Sequence, residues 1–190
     1  MHLIKVIPSL ILGGIATVAV GAFVPGSAIA QDAGVSRLLN KANSINYEEI
    51  EMAKLASDKA GDNQALLTLT KTLKGDHQAN EDAVTALSRA KNVKIEGTPG
   101  SIGEHERQME NLSGGAFNEA FLTEAVQGHA KALQFFESEK GKFRSDPDVY
   151  LYVEETIPVV RAHLEMARAM KAQLGNNSRE NPENNKHASR

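Results

Sequence analysis

The sequence predicts an all-α chain: four amphipathic helices packed as a bundle and paired into two hairpins. Three observations carry this. Apolar residues recur every three or four positions in four separate segments, the spacing of one buried helix face. Ala, Leu, Glu and Lys dominate the composition, which favours helices, and tryptophan is absent. No stretch of useful length alternates apolar and polar residues, as a half-buried strand would.

The first 30 residues differ from the rest. Lys5 precedes "VIPSLILGGIATVAVGAFV", an uncharged, largely apolar run, and "GSAIA" ends in the small-x-small step Ala28-Ile29-Ala30. This pattern predicts a secretory signal over residues 1–30, cut after Ala30, and a periplasmic or otherwise exported protein. An uncleaved membrane anchor is the alternative, because the run is nearly long enough to span a bilayer. Residues 31–43 are expected to be a lead-in, 44–174 the bundle domain, and 175–190 a polar, breaker-rich tail without structure.

The first helix is expected to open at Ser44, with Glu48 and Glu49 near its positive end, and to close at Gly61. Asp62 is a candidate cap for the second, which spans about Gln64 to Lys91. The third runs from about Phe117 to Lys140. Ser145 or Asp146 caps the fourth, with Pro147 in its first turn, and Gly175 ends it.

The fourth carries the cleanest stripe: Val149, Val153, Thr156, Val160, His163, Ala167, Met170 and Leu174. Pro158 falls on the opposite face, where a bend rather than a break is expected. Short loops join helices one and two, and three and four, so each pair is antiparallel. The connection between the pairs is long, and "SIGEHERQMENL" within it has the pattern of a short extra helix with Ile102, Met109 and Leu112 facing in. Two hairpins joined by such a crossover describe a ferritin-like four-helix bundle.

Each helix places one ionisable residue on its inward face. Glu49 lies among Ile45, Met52 and Ala56. His77 continues the stripe of Leu66, Thr70 and Leu73, with Asp76 beside it. His129 lies between Ala125 and Leu133, and His163 sits at the seam's edge. At about 1.5 Å per residue all four reach a similar height, His163 about a turn off. Buried without partners, these groups would cost several kcal/mol each. Three arrangements relieve that cost. They hydrogen-bond one another, with Asp76 or Glu81 as partners; they bind zinc, copper, iron or manganese; or the helices rotate and leave some of them wet. Three imidazoles and one carboxylate suit one zinc or copper ion better than a di-iron centre, since the Glu-x-x-His pairs of di-metal bundles are missing. His105 is expected on a solvated face, and His187 lies in the tail.

The formal charge is −3, and about −4 without the signal, which contains Lys5 and no acid. With no basic cluster or aromatic platform, nucleic-acid binding is not expected. The absence of cysteine excludes disulfides, thiolate metal sites and an N-terminal lipid anchor. No phosphate loop, nucleophile elbow or Ser/His/Asp set appears, so no catalytic residue is assigned and the balance is against an enzyme.

The pieces "EIEMAKLASDKA", "DHQAN", "AFNEAFLTEAVQGHAKALQFFE" and "IPVVRAHLEMA", in this order, resemble the bacterial secreted family catalogued as domain of unknown function 4142, from about Ile45 to Met170. The resemblance implies an exported, ferritin-like helical protein with polar positions at Glu49, Asp76, His77, His129 and His163. It supplies no activity. Asn118 and Phe121 depart from the Asp and Tyr the family often has there. Two readings follow: a bundle whose polar cluster binds a metal ion or small ligand, and a non-catalytic module of the cell envelope whose polar network binds none. A di-iron-like oxidase or peroxide-consuming enzyme is a weaker third.

Overall fold

A computed structural model describes residues 25–96 and 104–180 of the chain. Five helices follow one another: α1 (Pro25–Lys59), α2 (Gln64–Ala90), α3 (Glu104–Glu110), α4 (Gly114–Glu139) and α5 (Pro147–Glu180). The expected all-α bundle is present. The hairpins α1–α2 and α4–α5 pack on each other, α1 against α4 and α2 against α5. Residues 91–113 connect them and carry the short α3.

Local contacts set the direction of that crossover. Its start is held by Asn40, whose side chain donates to the Lys94 carbonyl (3.2 Å) and accepts from the Glu96 N–H (2.7 Å). Its end is held by Lys59 Nζ, which donates to the carbonyls of Glu110 (2.6 Å) and Leu112 (2.9 Å) at the far end of α1. The connection therefore travels the length of the bundle before α4 begins. Every packed pair of long helices is then antiparallel.

Several boundaries move. α1 starts at Pro25, so residues 31–43 are helix and not a lead-in. Val35, Leu38, Leu39 and Ala42 are buried and extend its apolar face upstream. Ser44 is mid-helix, and its hydroxyl donates to Glu48 Oε1 (2.8 Å) instead of capping. The expected cut after Ala30 falls inside α1, and residues 1–24 lie outside the described part. Gly61, at φ 53°, makes the turn after α1 in a conformation few other residues adopt. The α2 cap is Asn63 rather than Asp62: its side chain accepts from the Leu66 N–H (3.1 Å). α4 starts at Gly114. α5 opens at Pro147 with Asp146 Oδ1 near the Val149 N–H (3.4 Å). It continues past Gly175 to Glu180, so the tail is helical over its first residues; 181–190 lie outside the described part. Pro158 stands within α5 on the exposed side.

Two apolar clusters fill the interior. One joins Leu38, Leu39, Val84, Phe136, Val149 and Val153 at the end holding the α4–α5 loop. The other joins Ala56, Leu66, Leu73, Phe117, Phe121 and Leu122 at the α1–α2 turn. Between them the bundle is polar.

Candidate metal centre

Asn46 and His77 lie equally far from the α1–α2 turn and so face each other across the hairpin. His129 enters from α4 and His163 from α5. The expected offset of His163 is absorbed by the loop 140–146. Phe143 buries its ring in the bundle's end, and the chain passes the end of α4 before α5 starts.

The three imidazoles form a triangle. Ring centroids are 5.5 Å apart for His77 and His129, and 5.2 Å for each other pair. All three are buried: His129 and His163 are 1% exposed and His77 4%. One nitrogen from each lies within 4.8 Å of the other two.

The far nitrogen of each ring decides which one that is. His77 Nδ1 is 3.0 Å from Asn46 Oδ1. The Asn46 amide donates to Asn80 Oδ1 (2.8 Å), the Asn80 amide to Thr156 Oγ1 (3.1 Å), and the Thr156 hydroxyl to the Tyr152 carbonyl (2.7 Å). The Tyr152 hydroxyl also donates to Asn80 Oδ1 (2.9 Å). The direction of this chain assigns an acceptor oxygen to His77, so its proton sits on Nδ1 and Nε2 carries the lone pair. His129 Nδ1 donates to the Ala125 carbonyl (2.8 Å), which leaves Nε2 unprotonated. His163 Nε2 donates to Asp76 Oδ2 (2.9 Å), and its buried Nδ1 has no hydrogen-bond partner. Each ring thus has one nitrogen anchored to an oxygen and one lone pair available to a cation. This is how proteins orient metal-ligating histidines.

Electrostatics agree. Burial, then the neighbouring histidines, hold His77 well below its ordinary range. Burial and His163 push His129 down to about 4, against the Ala125 carbonyl. Burial lowers His163 also, although Asp76 opposes it. Neutral imidazole is the ligating form. Burial pushes the Tyr152 phenol up, which keeps its O–H a donor.

Of the five residues picked from the sequence, the three histidines meet, and the two carboxylates stand behind them. Asp76 backs His163. Glu49 Oε1 lies 3.5 Å from His129 Nδ1, on the ring edge away from Nε2. His77 takes Asn46 as its partner, neither Asp76 nor Glu81. Asn46, Asn80 and Tyr152 were not legible as part of the site. Asn80 does follow His77 by three positions on one helix face, and that spacing was the available signal.

Residues 25–170 match the family described as Domain of unknown function (DUF4142). The chain belongs to that family. No curated protein and no solved structure matches it. The DUF4142 description assigns no activity, so what the site does rests on its own chemistry.

Proposed function

We propose that this DUF4142 protein is an exported bundle that binds one transition-metal ion at His77 Nε2, His129 Nε2 and His163 Nδ1. Zinc and copper suit the donors best, since imidazole nitrogen favours them over magnesium or calcium. One observation carries the reading: three buried lone pairs converge while every opposite ring nitrogen is already anchored. The 3.3 Å between His77 Nε2 and His129 Nε2 is also about the edge of a tetrahedral shell with metal–nitrogen bonds of roughly 2.0–2.1 Å. Asp76 and Glu49, close behind the rings, offset the ion's two positive charges without touching it. Export is supported by the signal-like composition of residues 1–30 alone. Sensing, storage or protection in the cell envelope would suit such a site, and no reaction is assigned.

Metal analysis of protein purified without an affinity tag tests this. About one equivalent of zinc or copper is expected, lost in His77→Ala and in His129→Ala. Metal-free protein with no affinity for zinc, copper, iron or manganese would end the proposal.

The bonded amide network favours a second reading, a metal-free layer that fixes helix register. In that case added ions leave the melting temperature unchanged, whereas binding raises it.

A further inference from the structure

We propose that the bound ion keeps a fourth position for a small exogenous ligand, water, hydroxide or a small monoanion, admitted from a crevice between α2 and α5. This rests on the metal reading above. Three protein donors leave a four-coordinate ion one ligand short, the arrangement of open rather than closed sites. Among the described residues the nearby carboxylates are poorly placed to fill it. Asp76 Oδ2 is committed to His163 Nε2, and Glu49 meets His129 at Nδ1, the edge facing away from the ion.

The crevice supplies the alternative. It holds about 10 Å³, room for roughly one water molecule or the coordinating end of a slim anion, and its wall includes His77 and His163 but not His129. The ion is therefore approached from this side. Asp76, half-exposed, lines it and connects it to the surface. Asn46 and Asn80 line it too. Each amide has two N–H groups and uses one within the network, to Asn80 Oδ1 and Thr156 Oγ1. The second hydrogens favour an acceptor. Phe136, Val159 and Val160 close the rest with apolar surface and limit the guest to a few atoms.

Azide is the probe. The full chain, loaded with one equivalent of Cu²⁺ or Co²⁺, is titrated with azide while its visible and paramagnetic resonance spectra are followed. A saturable spectral change with the ion retained is expected, and Val159→Phe should weaken the azide response at least tenfold with metal content unchanged. An ion bound at one equivalent whose spectrum ignores azide would overturn this inference alone, and would point to Glu49 as fourth ligand. Azide that strips the ion without a ternary spectrum would overturn it equally. Protein that takes up neither ion fails at the parent proposal, a result read from metal content before any azide is added.

Discussion

His77 and His129 meet nitrogen to nitrogen, Nε2 to Nε2, at 3.3 Å inside the bundle. Both Nδ1 protons are given to oxygens elsewhere, to Asn46 and to Ala125. Two lone pairs at that distance repel. A shared proton would relieve the contact, but burial holds both rings below their ordinary pKa. A metal cation relieves it with no change in either tautomer.

Asp76 should control the ion through His163. Its carboxylate can only accept, so it keeps the His163 proton on Nε2 and the lone pair on Nδ1. In Asp76→Asn the amide can turn its N–H toward Nε2 and drive the proton to Nδ1. A loss of about 10- to 100-fold in metal affinity is expected, with Asp76→Glu closer to wild type. Competition with a chromophoric chelator measures both. Equal affinity in wild type and Asp76→Asn would show that the charge of Asp76 does not set the His163 tautomer.

Acid should destabilise the metal-free protein. The unfolded chain takes up protons near the ordinary histidine pKa of 6.5, while folded His129 does so only at about 4. Between these values the unfolded state holds more protons, so stability falls as pH falls. The contribution is complete above about pH 6.5 and is lost on the way down, by an amount on the order of a few kcal/mol. Thermal melts at pH 7.5 and pH 5 should differ by several degrees, and His129→Leu should narrow the gap. A flat profile would mean that the folded site protonates freely.

The fold was readable because helix periodicity and breakers are local signals. Val149 to Leu174 announced α5, and the short and long connections announced hairpins and crossover. α1 was truncated because Ser44 looks like a cap, whereas it lies mid-helix and bonds to Glu48, and the polar residues before it have tertiary roles: Asn40 holds the crossover and Asn43 is buried. The three histidines were legible as polar residues on apolar faces. Their partners were not. Asn46 is one residue from Ile45 on a helix whose rotation the stripe fixes only loosely, and its amide orientation depends on contacts from two other helices, α2 and α5. Glu49 was read as a ligand because helix height placed it correctly; which edge of His129 it meets is a side-chain matter that spacing does not reach.

Gly128 separates the two roles open to Glu49. A Cβ there would lie 2.9 Å from Glu49 Oε1, the mobile end of a long side chain. Gly128→Ala should push the carboxylate aside and gain up to about 1 kcal/mol of helix propensity in exchange. Since His129 Nδ1 is already held by the Ala125 carbonyl, metal affinity should stay within a few fold of wild type. Denaturant melts and chelator competition on the same variant test both. A collapse of affinity would place Glu49 on the ion.

Asn80 should govern His77 without touching the ion. Its Oδ1 accepts from the Asn46 amide and the Tyr152 hydroxyl, which forces Asn46 Oδ1 toward His77 Nδ1. Asn80→Ala leaves these donors without their acceptor, at about 1–3 kcal/mol for each buried group, and frees the Asn46 amide to turn. A turned amide presents N–H to Nδ1, moves the His77 proton to Nε2 and removes a ligand. Asn80→Asp keeps an acceptor in place and gives up only the donation to Thr156 Oγ1. Metal affinity should therefore fall in Asn80→Ala and largely survive in Asn80→Asp, although both variants lose stability. Nitrogen-15 chemical shifts of the His77 ring report the tautomer directly in each variant. If Asn80→Ala lowers the melting temperature yet retains both the Nδ1–H tautomer and full metal affinity, Asn80 is only a packing residue.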